Sequence, residues 1–145
     1  MSLFLHALPF VGLLLNGGRD ALFKQHMDTV AVPATFNYAS VTANATAPAA
    51  ADTTLTGEIT TAGGGLYPKQ ATFAHTSSAS TATLTTTFTA NGTDVLPVTL
   101  AQVGYRNASA AGGTLGTKTV LSSTATISSS GDAITITSTF TCTPS

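Results

Sequence analysis

Charge is what this chain of 145 residues has least of. Only 8% of its residues are Asp, Glu, Lys or Arg, about a third of the share in an ordinary soluble domain. The formal net charge is −1, so no strong field draws the chain to nucleic acid or to an anionic membrane surface. There is a single cysteine, Cys142, which excludes an internal disulfide as the staple of the fold. Tryptophan is absent, which counts against stacking on sugars. His6, His26 and His75 each lack a second ligand at metal spacing, and Cys142 has no CxxC partner. Neither a metal nor a cofactor is therefore expected. The serines form no GxSxG elbow, and Gly63 to Gly65 is not followed by the GK[ST] of a phosphate loop. Nothing here reads as a catalytic centre, and the expectation is a protein that is not an enzyme.

Threonine, serine and alanine stand where the charges are missing. Hydroxyls solvate a surface without repelling a neighbouring copy, and burying one costs far less than burying an ion. Such a composition suits a subunit packed into a crowded array. The length is enough for one domain with one core.

The first residues differ from all that follow. MSLFLHALPFVGLLL is apolar, broken by Pro9 and Gly12, and carries no Lys or Arg ahead of the apolar run. A secretory signal needs that positive region, and a bilayer span needs about 20 apolar residues. The segment reads instead as an apolar arm, followed by the turn Asn16-Gly17-Gly18 and a short helix over RDALFKQHMD, with Asp20 at its start. The division expected is residues 1–29 as an assembly segment and 30–145 as the β-domain. Apolar surface of this extent usually identifies an interface. Leu3, Phe4, Leu5, Leu8, Phe10, Val11, Leu13, Leu14 and Leu15 are therefore the candidate assembly residues. The arm is expected either to fold back on its own domain or, the favoured reading, to dock on a neighbouring subunit, and its removal to leave the β-domain folded.

From Val30 onward the period is two. Phe36 and Tyr38 alternate with Thr35 and Asn37 in a first strand. STATLTTTFTA sets Ala82, Leu84, Thr86 and Phe88 against a row of threonines. AITITSTFTCT does the same with Ile134, Ile136, Ser138 and Phe140. Between them VLPVTLAQVGYRNAS offers Val95, Val98, Leu100 and Val103 to the core. Asn91-Gly92-Thr93-Asp94 and Ser129-Ser130-Gly131-Asp132 read as turns. Short strands separated by such turns predict a mainly β fold, an antiparallel β-sandwich, Ig-like or jelly-roll-like, with an apolar N-terminal arm and one short helix.

The most specific stretch is DTTLTGEITTAGGGLYPKQATF, residues 52–73. It reads as two strands joined at a close-packed glycine corner, with Gly57 at a bulge or beneath an approaching backbone. Glu58 is the carboxylate inside a strand pattern, and a buried one needs a cation or backbone donors. Lys69 is its nearest partner by hairpin geometry, with Arg106 next, so Glu58 and Lys69 form the candidate structural charge pair.

The segment LLLNGGRDALFKQHMD, then TTLTGEIT, the glycine run, a basic strand start before ATF, NGTD, VGYRNAS and GDAITITSTFT together resemble virion structural proteins of tailed bacteriophages. These are small head decoration, head-fibre or minor tail proteins. The resemblance implies a β-sandwich subunit present in many copies at a capsid surface. It would bind the major capsid protein where capsomers meet, as a homotrimer, and reinforce the shell. A tail- or fibre-associated module with host-surface binding is the alternative, for which Tyr67, Tyr105, Arg106 and Asn107 would supply a receptor surface. Neither nucleic acid nor membrane is an expected partner.

Overall fold

The computed structural model describes residues 2–5, 13–14, 16, 35–109 and 113–141. They form nine strands: β1 (Ser2–Leu5), β2 (Leu13–Leu14), β3 (Tyr38–Thr42), β4 (Lys69–Gln70), β5 (Thr72–His75), β6 (Thr81–Thr89), β7 (Val98–Arg106), β8 (Leu115–Ile127) and β9 (Ala133–Thr141). A four-stranded sheet runs β1-β9-β6-β5 and a five-stranded sheet runs β2-β8-β7-β3-β4. Every pairing is antiparallel except β1 with β9. The fold is a β-sandwich, as the alternation predicts.

The core follows from that alternation. Leu84, Phe88, Ile134 and Ile136 from the first sheet meet Val41, Leu100, Val103, Leu121 and Ile127 from the second, all nearly without solvent contact. Tyr105 crosses the gap. Its hydroxyl donates to Ser138 Oγ at 2.8 Å, and its ring meets the Phe140 ring edge-on at 6.1 Å. Burial pushes the Tyr105 hydroxyl up to about 12, although the bond to Ser138 works the other way. Val95, expected in the core, is 81% exposed. It follows the turn at Asn91–Asp94, and β7 begins only at Val98, so period-two reasoning does not apply to it.

The arm belongs to its own domain. β1 lies beside β9 with Leu3 in register with Ile134 and Leu5 with Ile136. Leu13 and Leu14 pair with Lys118 and Thr117 of β8. The arm thus supplies one edge strand to each sheet. The physical reason is that β8 and β9 would otherwise present long open ladders to solvent. Leu8, Phe10, Val11 and Leu15 lie outside the described residues, as do the expected helix and Cys142.

Six arm residues make ladder pairings, each hydrogen bond being worth about 1 kcal/mol net. Deleting residues 1–15 is expected to lower the unfolding free energy by about 3 kcal/mol or more, read from urea denaturation. An unchanged midpoint would restore an arm independent of the domain.

Candidate functional site

The two outer faces of the sandwich are built for different ends. On the outer side of the five-stranded sheet, Ser40, Thr42, Gln102, Arg106 and Lys118 are all buried. What covers them is the connection between β3 and β4, which folds back over the strands as a strap. Leu55 packs with Leu115 above Gly104. Ile59 donates its amide to the Val41 carbonyl at 3.0 Å, and Glu58 forms an isolated antiparallel bridge with Thr42. The Thr42 hydroxyl reaches the carbonyls of Thr56 and Gly57 at 2.8 and 2.9 Å and accepts the Asn44 amide at 3.0 Å. The Gln102 amide group donates to the Thr46 carbonyl, and Asn16 donates to the Ala50 carbonyl at 3.0 Å.

This replaces the strand expected over TTLTGEIT. Glu58 donates its amide back to the Leu55 carbonyl at 3.0 Å, closing a turn, and Gly57 takes φ +67°. That left-handed conformation suits glycine and ends any two-residue alternation. A Cβ at Gly57 would stand 3.3 Å from Thr42 Oγ1, so what approaches here is a side chain and not the backbone that the sequence suggests.

Glu58 is clamped by Arg106, not by Lys69. The Arg106 Nε donates to Glu58 Oε1 at 2.9 Å, Nη2 donates to Oε2, and Nη1 donates to the Gly113 carbonyl at 2.8 Å. Both side chains are almost fully buried. Two parallel N–H···O bonds make this a bidentate fork, the strongest form of such a pair. A second pair joins Lys118 Nζ to Asp52 Oδ2 at 2.6 Å. The Ala49 amide, followed by Lys118, holds the Asp52 carboxyl below its usual range. Lys69 instead lies over the Phe88 ring, 5.3 Å from its centroid, where the ring quadrupole attracts it.

The glycine corner packs against a turn. Gly65 and Leu66 donate their amides to Asp94 at 2.8 and 3.2 Å, and Asn91 donates to the same carboxylate at 2.8 Å. A Cβ on Gly65 would overlap the Thr89 carbonyl, so only glycine admits this approach. Asp132 accepts the amides of Ser128 and Ser129 at 3.0 and 2.9 Å, which keep its carboxyl below the usual range. Each of the seven described acidic and basic side chains (Asp52, Glu58, Asp94, Asp132, Lys69, Arg106 and Lys118) therefore has a partner within the chain.

The outer face of the four-stranded sheet carries none of them. There β6 and β9 set threonines directly opposite one another: Thr81 with Thr141, Thr83 with Thr139, Thr85 with Thr137 and Thr87 with Thr135. Hydroxyls of the last two pairs approach to 3.2 and 2.8 Å. Cross-strand Thr–Thr contacts of this kind support a sheet while leaving an uncharged surface.

Tyr105 and Arg106 are buried, which removes them from the receptor surface that the loop reading would need. His75 is exposed, with Nδ1 2.9 Å from the Thr81 carbonyl. His6 and His26 lie outside the described residues. Among the described residues no three His, Cys, Asp or Glu side chains gather to hold a metal, and no helix is long and apolar enough to cross a membrane. No known family model matches the chain, and no curated protein is significantly similar to it.

Two substitutions separate the observed ion pair from the expected one. Glu58→Gln leaves the buried Arg106 guanidinium without a counter-charge and is expected to cost about 3 kcal/mol. Lys69→Gln loses a cation–π contact worth about 1 kcal/mol or less. Chemical denaturation of both variants and of the double variant checks this, with the two effects additive. Strong coupling between positions 58 and 69 would contradict it.

Proposed function

We propose that the chain is a structural subunit of a multi-copy particle, of the capsid-decoration class that its sequence resembles. The observation that supports this reading most is the uncharged threonine face on β6 and β9, on a chain whose described charges are satisfied internally. A partner approaching that face meets hydroxyls and methyl groups and strips water from no ion. The same surface tolerates copies of itself at close quarters, because no like charges are brought together. In such a role the protein binds the outside of a phage head across capsomer boundaries. It adds buried area where the shell protein alone is weakly joined, and it does no chemistry. Its partners are the major capsid protein and sister copies, and its place is the virion surface. The tail or fibre reading keeps only Tyr67 and Asn107 of its four residues, since Tyr105 and Arg106 lie inside the domain.

Cryo-electron microscopy of purified particles tests the proposal. The expected result is density of this domain on the outer capsid, at junctions between capsomers, with the threonine face turned to a neighbour. Density confined to the tail would favour the alternative, and a particle free of the protein would overturn the virion reading altogether.

A further inference from the structure

Strand β5 lies at one margin of the four-stranded sheet, paired on one side with β6. Among the described residues no strand occupies its other side. All four of its residues are exposed, and Phe73 at 63% is the most exposed aromatic side chain described. An open edge is a row of backbone donors and acceptors that only another strand satisfies in full, and proteins usually guard it with outward lysines, prolines or bulges. Here the guards are missing or turned away. The nearest lysine, Lys69, lies inward over Phe88. His75 turns its ring back to the Thr81 carbonyl of its own hairpin. Pro68 precedes the strand and removes no amide from 72–75.

We infer that β5 is a docking edge for a second copy of this chain, pairing antiparallel with its own counterpart across a two-fold axis. The inference rests on the multi-copy reading for the presence of a neighbouring copy. Three features favour that occupant. The edge is self-complementary, as a two-fold contact requires. It carries no fixed charge that would repel its twin. The joined sheets would continue the uncharged threonine face without a break from one copy to the next. Phe73 from each subunit is placed close to the seam. The contact joins copies in pairs and differs from the threefold clustering that the resemblance implies, so the two can coexist in one shell.

Size sets its strength. Four residues span only about 13 Å of ladder, too short a seam to bury by itself the roughly 1,000 Å² that a stable interface needs. The dimer is therefore weak in solution, with a Kd on the order of 100 μM, and gains occupancy where a particle already holds copies side by side.

Sedimentation equilibrium of the full chain, from about 10 μM to about 1 mM to bracket that Kd, tests this alongside amide exchange of residues 72–75. The expected result is a reversible monomer–dimer equilibrium in which those amides gain protection as concentration rises. Phe73→Lys and, separately, Thr72→Lys put a charge on an exposed edge position and should each weaken association at least tenfold, with circular dichroism unchanged. A wild-type chain monomeric throughout the range would overturn the inference, and so would a dimer indifferent to both substitutions. If the soluble chain is monomeric but Phe73→Lys no longer enters particles, the edge receives a strand from another protein, and the second copy is the wrong occupant. A dimer formed by a chain that microscopy places on no particle would instead leave this edge standing and remove the virion reading.

Discussion

Arg106 is a permanent cation placed near the end of a central strand of a sandwich, on the face turned away from the core. An ion there is tolerable only if it stays wet or is fully neutralised. This chain neutralises it, and the consequences spread through the structure. Glu58 must lie within reach of the guanidinium, so the residues around it cannot continue as an ordinary strand. They fold back over β3, β7 and β8 instead, bringing Leu55 onto Leu115 and Asp52 onto Lys118. The Gly113 carbonyl completes the guanidinium's bonding and ties in the connection between β7 and β8. One buried ion pair thereby holds a cover over the part of the five-stranded sheet around Arg106.

That cover divides the surface. The five-stranded sheet is closed by its own chain over Ser40, Thr42, Gln102, Arg106 and Lys118, while its far end, with the Thr99–Thr126 hydroxyl pair, stays exposed. The four-stranded sheet is left with its threonine pairs and with the edge at β5. Because the charges among the described residues are spent on internal closure, the described outer face of the four-stranded sheet is uncharged. In the multi-copy role proposed above, contacts would form without desolvating ions, and crowding would raise no repulsion. Low charge content, which at first looks like a compositional habit, thus connects directly to how the fold is held and to which surface remains open.

The parts of this arrangement that were legible in the sequence were local and periodic. The T-x-T runs of β6 and β9 show their core and solvent faces directly, and Leu84, Phe88, Ile134 and Ile136 are buried as the alternation requires. The turns at Asp94 and Asp132 were equally plain. The need of Glu58 for a cation could be read from its chemistry, but the partner could not. Hairpin geometry favours the residue closest in the chain, Lys69, whereas the strap brings in Arg106 from 48 positions away. The strap itself has no periodicity, because its contacts are single hydrogen bonds to Thr42, Val41 and Gln102. The arm is ambiguous for a related reason. An apolar segment ahead of a β pattern gives no sign of whether it completes its own sheets or another subunit's. Tyr105 and Arg106, offered with Asn107 as receptor-surface residues, instead continue strand β7 and are buried.

The central physical claim is that the strap is part of the cooperative fold, held by the fork between Glu58 and Arg106. Native-state hydrogen exchange at the Ile59 amide, which donates to the Val41 carbonyl, tests it most directly. Ile59 should exchange only through global unfolding, with the same free energy as the amides of β7. An Ile59 amide that exchanges through local opening, orders of magnitude faster than β7 while the sandwich stays intact, would contradict the claim.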